Sequence, residues 1–276
     1  MTQAPNTQPA LFDRPALTAH RARRKQNALF LHDTARDEVE DRLSMVNRTF
    51  SAPAIVTPFA EIWQNSLPGA RIVPDDDTLA LEPGAHDVVI HAMCLHWAND
   101  PVGQLIQCRR ALKEDGLLLV VMLGGQTLHE LRSTLAEAET TITGGLSPRV
   151  APMGEIRDLG GLLQRAGLAL PVADLVPLTA EYRDLPHLMH DLRDMGETNA
   201  MAQRQKHPTS RFLFEMAGHL YHQHFATENN RLPATFEIVC LTGWSPSESQ
   251  QKPLRPGSAQ SRLSDALKVP ETKLTE

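Results

Sequence analysis

HDVVIHAMCLHWANDPVGQLIQCRRALKEDGLLLVVMLGG, residues 86–125, carries the order strand, helix, strand. Asp87-Val88-Val89-Ile90 is a short apolar run with β-branched residues. Asn99 or Asp100 then offers an N-cap, and Pro101 fits the first helical position, where its missing N–H costs nothing. Val102, Leu105, Ile106, the stem of Arg109 and Leu112 follow at helical spacing, and Gly116 is expected to stop the helix. Leu117 to Leu123 is seven apolar residues in a row. That is too short for a membrane span and suits a strand buried on both faces. Two such strands joined by a helix make a βαβ unit, hence a parallel sheet with a right-handed crossover.

The chain has 276 residues, 41% of them hydrophobic, enough for a sizeable core. Aromatics are 5%, which argues against base-stacking platforms. The net charge is −6, from 33 acids against 27 bases, and nothing in it calls for a polyanion such as nucleic acid. Cys94, Cys108 and Cys240 lack metal or disulfide spacing, so a reducing, cytoplasmic setting is expected. No apolar run approaches 18 residues, which predicts no membrane span. Arg21, Arg23, Arg24 and Lys25 give the N-terminus a weakly transit-like look, against which Asp13 and the missing cleavage pattern weigh.

Outward from the central unit, residues 1–14 are polar and read as disordered, and the basic patch 21–25 as a solvated helix face. From Ala35, the positions Val39, Leu43, Val46 and Phe50 predict an amphipathic helix. Strands are expected over 53–57, 70–73, 87–91, 117–123, 168–182 and 234–241, the last antiparallel in an otherwise mostly parallel sheet. Thr127 and Glu130 have capping-box spacing ahead of a helical stripe Leu128, Leu131, Leu135, Ala138, Ile142. Further helices are predicted over 153–166, 187–195 and 211–225. The organisation is then an arm and helix (1–50), a sheet core (51–183), a helical cap over the sheet's C-terminal edge (184–232), a final strand (233–244) and a tail (245–276) that docks through Leu263 and Leu267.

HDVVIHAMCLHWANDP followed by ALKEDGLLLVVML resembles the fourth- and fifth-strand region of class I S-adenosylmethionine-dependent methyltransferases. Further on, GGQTLHELRSTLAEAE, SPRVAPMGEIRDLGGLLQRAGLALPVAD, LMHDLRDMGETNAMAQR and ATFEIVCLTGW are similar to the methyltransferase-fold assembly factors of respiratory complex I. The mitochondrial member of that family is an arginine hydroxylase of a peripheral-arm subunit. The resemblance covers about 29–259, and a more distant one reaches the malonyl carrier-protein methyltransferases of biotin synthesis. It implies a doubly wound, Rossmann-like α/β sheet. It also implies S-adenosylmethionine as cofactor and a protein client. Thr57, Asp75, Asp76, Met93, His96 and Trp97 would face the cofactor, and Arg132, Arg149, Glu197 and Asn199 the substrate or partner. No catalytic residue and no metal ligand is assigned. His219, His222 and His224 read as a wet helix face, and Cys94 as a buried strand residue.

The cofactor half departs from the family pattern. A glycine-rich turn normally follows the first strand, because only glycine lets the backbone N–H groups approach the cofactor without strain. Here the place is Val56-Thr57-Pro58-Phe59-Ala60, with no glycine and one donor removed by Pro58. From Val56 to Val88 there are 32 steps, where a full path of two βα units needs about 50. One unit is therefore expected to be missing, with Asp75–Asp77 matching the turn after the third strand. Micromolar binding needs about 8 kcal/mol, and each lost charge-assisted contact removes roughly 1.5–3 kcal/mol. Weak or absent cofactor binding is the expectation. Two functions stay open: a non-catalytic holding factor, or an active protein methyltransferase or arginine hydroxylase.

Overall fold

The computed structural model describes residues 10–25, 28–251 and 268. The expected docking residues Leu263 and Leu267 lie outside the described residues. The chain divides into a main body, 1–246, and a C-terminal segment, 247–276.

The apolar run forms the upper part of strand β4 (Leu112–Leu123), the centre of a six-stranded sheet. Its side chains alternate between two cores. Leu117, Leu119, Val121 and Leu123 join one face, and Leu118, Val120 and Met122 the other. Each buried leucine is worth about 1.5–3 kcal/mol, so this strand fixes both layers. Strands β1 (Pro53–Val56), β2 (Arg71–Val73), β3 (His86–Ala92), β5 (Ala169–Tyr182) and β6 (Leu232–Trp244) complete the order β2-β1-β3-β4-β6-β5. β1, β2, β3 and β4 run parallel, and β6 is antiparallel to both β4 and β5. Pro177 does not break β5. It sits in an edge strand that, among the described residues, pairs with β6 alone, where a missing N–H is tolerated.

Helix α1 is Arg14–Arg21 and α2 is Phe30–Met45. One face of the sheet carries α2, α5 (His129–Thr143), α7 (Leu185–Met195) and α8 (Arg211–Phe225). The other carries α4 (Pro101–Ala111) and α6 (Ile156–Arg165). Asp100 is the cap of α4: its carboxylate accepts from the Gly103 N–H at 2.8 Å. A Cβ at Gly103 would crowd that carboxylate, which would have to turn aside to admit it.

Four local expectations are corrected. α4 ends at Ala111, five residues before Gly116, because Leu112 already pairs with His86 in β4. Thr127 and Glu130 form no capping box. Thr127 Oγ1 accepts from the Glu237 N–H at 2.9 Å, and Glu130 accepts from the Thr235 N–H at 3.1 Å, so both serve β6 instead. The predicted 153–166 helix begins at Ile156. Residues 10–14 are ordered: Phe12 is buried and bridges to Met201. The helices of the expected cap also share the main core, through Leu188, Leu192, Ala217 and Tyr221. Removing them would open that core rather than trim a module.

Candidate functional site

The C-terminal ends of β1, β2, β3 and β4 converge on one edge, where ligands bind in open α/β sheets. Between β1 and β2 there is only α3 (Ala60–Trp63), one turn long. β2 therefore lies directly beside β1, and Asp75 follows the strand next to β1 rather than an outer third strand. Thr57 is turned into its own loop, its Oγ1 accepting from the Phe59 N–H at 3.2 Å. Phe59 and Trp63 are fully buried. Trp63 Nε1 donates to His32 Nδ1 at 3.3 Å, and the His32 ring stands 4.4 Å from that of Phe59. Burial holds His32 down to about 4, so it is neutral at pH 7.

α1 roofs this edge. Its start is fixed by Asp13, whose carboxylate accepts from the Ala16 N–H at 3.1 Å. Arg21 donates through Nη1 to both Asp75 oxygens, at 3.1 and 2.9 Å. Arg14 reaches the same carboxylate at 3.1 Å and the Asp75 carbonyl at 2.6 Å. The guanidinium groups of Arg21 and Arg24 lie 5.8 and 5.1 Å from the Phe59 ring centre, within cation–π range. Asn99 clasps the Phe12 backbone, accepting its N–H at 2.8 Å and donating to its carbonyl at 3.1 Å. Within the basic patch Arg23 and Lys25 are exposed, as expected of a solvated face, but Arg21 is not: it is 6% exposed. Its Nε and Nη2 are buried without a partner among the described residues.

Of the other residues singled out for the cofactor, Asp76 is exposed and lends only its carbonyl, to Gln104 at 3.2 Å. Met93 is buried at the end of β3 with a positive φ of 53°. His96 and Trp97, in a 3₁₀ turn after β3, both address Glu197 Oε2, at 3.3 and 2.7 Å. Burial works to raise the Glu197 carboxyl, but the charges of His96 and Arg21 and the His96 and Trp97 hydrogen bonds outweigh it and hold it below its usual value.

Glu197 and Asn199 line a cavity of about 330 Å³ between α5, α7, α8 and the loop 148–153. Asn199 donates to the Pro148 carbonyl at 2.8 Å and accepts from the Met201 N–H at 3.0 Å, pinning one wall. Arg149 lines the cavity too, locked to Glu139 at 2.7 Å. Arg132 does not line it; its Nη2 donates to the Thr127 carbonyl at 3.1 Å. His222 and His224 bond to Asn230 and Glu137 respectively. Among the described residues no group of three or more His, Cys, Asp or Glu is placed to hold a metal ion. Cys94 is buried, and burial pushes its thiol well up, which leaves it a poor nucleophile.

Burial works to raise the Glu139 carboxyl, but Arg149 and two donors from Ser147 hold it down to about 2. The folded value is depressed, so its contribution is full above the unfolded value and is lost as pH falls towards 2. Urea midpoints at about pH 7, 4.5 and 3 should therefore show Glu139→Gln well below the wild type at neutral pH, with the gap closing in acid. Parallel curves would remove Glu139 from the account.

A parallel sheet ending in an antiparallel pair, with its ligand edge as described, places the chain in the methyltransferase fold class. A family model described as a methyltransferase domain matches residues 52–120. The YcgJ protein of Bacillus subtilis aligns over 78% of this chain and all of its own, at 13% identity and a TM-score of 0.48. The chain belongs to the family of the arginine-hydroxylase NDUFAF5. It is 32% identical to the mitochondrial member from Danio rerio over 236 residues, 85% of this chain and 73% of that one. It is 40% identical to the member from Dictyostelium discoideum over 192 residues, 69% of this chain and 44% of that one. A malonyl-[acyl-carrier protein] O-methyltransferase of Xylella fastidiosa is 32% identical over 185 residues, covering 67% of this chain and 60% of its own. Among the described residues no helix is long and apolar enough to cross a membrane.

Proposed function

We propose that this chain captures a protein client, a peripheral-arm subunit of respiratory complex I during its assembly, and binds S-adenosylmethionine weakly or not at all. The observation that carries the reading is Asp75. The acid at the end of the strand beside β1 is the group that would accept the cofactor's ribose hydroxyls, and Arg14 and Arg21 already occupy it. Phe59 and Trp63 fill the space a glycine turn would leave open. The residues present do not fit the cofactor.

The cavity beside Glu197 and Asn199 is where the client engages. Cys94, Cys108 and Cys240, all free and buried, suit a reducing, cytoplasmic setting. The competing reading is an active arginine hydroxylase, favoured by the name of the relatives. Calorimetry with S-adenosylmethionine separates the two in their cofactor half. The expected result is no saturable heat at low micromolar ligand, and a dissociation constant in that range, about −8 kcal/mol, would refute it. Pull-down of the client tests the other half. Replacing Trp97 and Asn199 together with alanine should weaken capture while the far-face core, around Leu118 and Leu163, stays folded. Undiminished capture, or normal complex I assembly without the protein, would leave the proposed job unsupported.

A further inference from the structure

Met189, His190 and Arg193 recur along α7, and Arg211, Phe214, Gly218 and His222 along α8, at helical spacing. The two stripes wall a groove of about 930 Å³ on the outside of the helices. Its floor is apolar: Leu185 and Leu232 are buried, and Met189 and Phe214 half-buried. Gly218 keeps that floor open. A Cβ there would lie 3.7 Å from the Leu185 Cβ, an ordinary contact, so any side chain larger than alanine would project into the groove. The rim is cationic. Of its two acids, Asp184 is spent on the Arg183 guanidinium and the His187 N–H, each at 2.8 Å. Glu215 stands 4.0 Å from Arg211, whose side chain is 92% exposed. Arg193 is exposed, as is Arg23 across a shallow hollow beside it. Neither makes an ion pair or a side-chain hydrogen bond among the described residues. α8 also starts at this rim without a side-chain cap and with no acid in its first turn, so the positive end of its dipole is unmatched.

We infer that this groove receives an acidic amphipathic helix of the client, its apolar stripe on Met189 and Phe214 and its carboxylates at Arg193 and Arg211. The inference rests on the client-capture reading and deepens it by naming the segment that docks. Met189 and Phe214 also line the cavity beside Glu197, so the groove is continuous with the place where the client engages. A chain of net charge −6 that gathers unmatched arginines around one apolar groove presents it to a partner of opposite sign. α7 has 11 residues, about 16 Å, enough to seat roughly three turns of a helix laid along it. Other occupants match less well. Residues 252–276 carry five bases against three acids, the sign this rim repels. A second copy offers exposed acids on α2, at Asp33, Asp37 and Glu40, but groove against α2 is a head-to-tail contact that closes no dimer. A membrane is flat, whereas the apolar surface here is the floor of a groove.

The probe is a fluorescent peptide of about four turns, made of Glu, Leu and Ala with its leucines at helical spacing. Anisotropy on the full-length protein reads its binding. The glutamate peptide should bind, its glutamine counterpart on the order of tenfold more weakly, and its lysine counterpart not at all. Affinity should fall as salt rises from about 0.1 to 1 M, which shortens the screening length from about 10 to 3 Å. Arg193→Glu with Arg211→Glu should weaken the glutamate peptide about tenfold or more. So should Gly218→Leu, which fills the floor and leaves every charge in place. Both arginines are exposed, so the charge variant keeps its fold, and it decides should Gly218→Leu melt below the wild type. Equal binding of the three peptides, or unchanged binding by the charge variant, would overturn the assignment. Self-association that the charge variant abolishes would reassign the groove to a second copy. Binding to phosphatidylserine vesicles that the variant abolishes and the peptide does not displace would reassign it to a lipid surface. Client capture that survives both variants overturns this groove alone. Peptide binding without client capture overturns the holding function alone.

Discussion

Asp75→Ala should lower the unfolding free energy by about 3–5 kcal/mol, the cost of leaving a buried charge without its partner. For a chain of this size that is a melting point lower by roughly 6–20 °C. The Asp75 side chain is 5% exposed and that of Arg21 8%, so water cannot replace the lost carboxylate in place. Arg21 already has two guanidinium nitrogens without partners, and the variant would strand the third. Relief would come only by lifting α1 off the sheet edge. Amide exchange over residues 14–24 should accordingly accelerate more than exchange in β4. A second variant isolates the cause. Replacing Asp75 with leucine and both Arg14 and Arg21 with methionine removes the whole ion cluster, and such swaps are often neutral or better. If Asp75→Ala melts like the wild type, α1 is not held by this acid, and the occupied cleft loses its main support.

The same arginines show what a sequence can and cannot disclose here. The seven-residue run of β4, the Asp100-Pro101 start of α4 and the final antiparallel strand were legible, because each is a local pattern with one physical solution. The short path from Val56 to Val88 was legible too, and it appears as a single-turn α3 and a β2 placed directly beside β1. The role of Arg21 was not. Its partner lies 54 residues away, and a basic patch carries no local mark of burial. One signal was available: Arg14 and Arg21 are seven apart, hence on one helix face, with apolar Leu17 between them. Thr127 and Glu130 mislead for a related reason. Their spacing suits a capping box, but the backbone N–H groups of β6 compete for the same oxygens, and tertiary pairing wins. Glu197 and Asn199 could be picked out as candidates, while the pairing of Glu197 with Trp97, 100 residues distant, came only with the fold.

Phe59→Gly is the substitution that should, on a motif view, reopen the cofactor turn. We expect it to cost about 3–5 kcal/mol and to gain no S-adenosylmethionine binding. Phe59 is wholly buried, its ring edge-on to His32 and beneath two guanidinium groups, so its removal leaves a cavity and strips Arg21 and Arg24 of their aromatic partner. A glycine there still follows Pro58, which offers no N–H. Trp63 remains, held by His32 at 3.3 Å. Asp75 stays bound by Arg14 and Arg21. Each surviving obstacle withholds a contact worth roughly 1.5–3 kcal/mol, against the 8 or so that micromolar affinity requires. Urea unfolding measures the first half of the expectation and calorimetry the second, with Phe59→Leu as the milder variant should the glycine prevent folding. Low-micromolar binding by either variant would mean that the cleft lacks only a flexible turn, and that α1 yields to the cofactor rather than standing in its place.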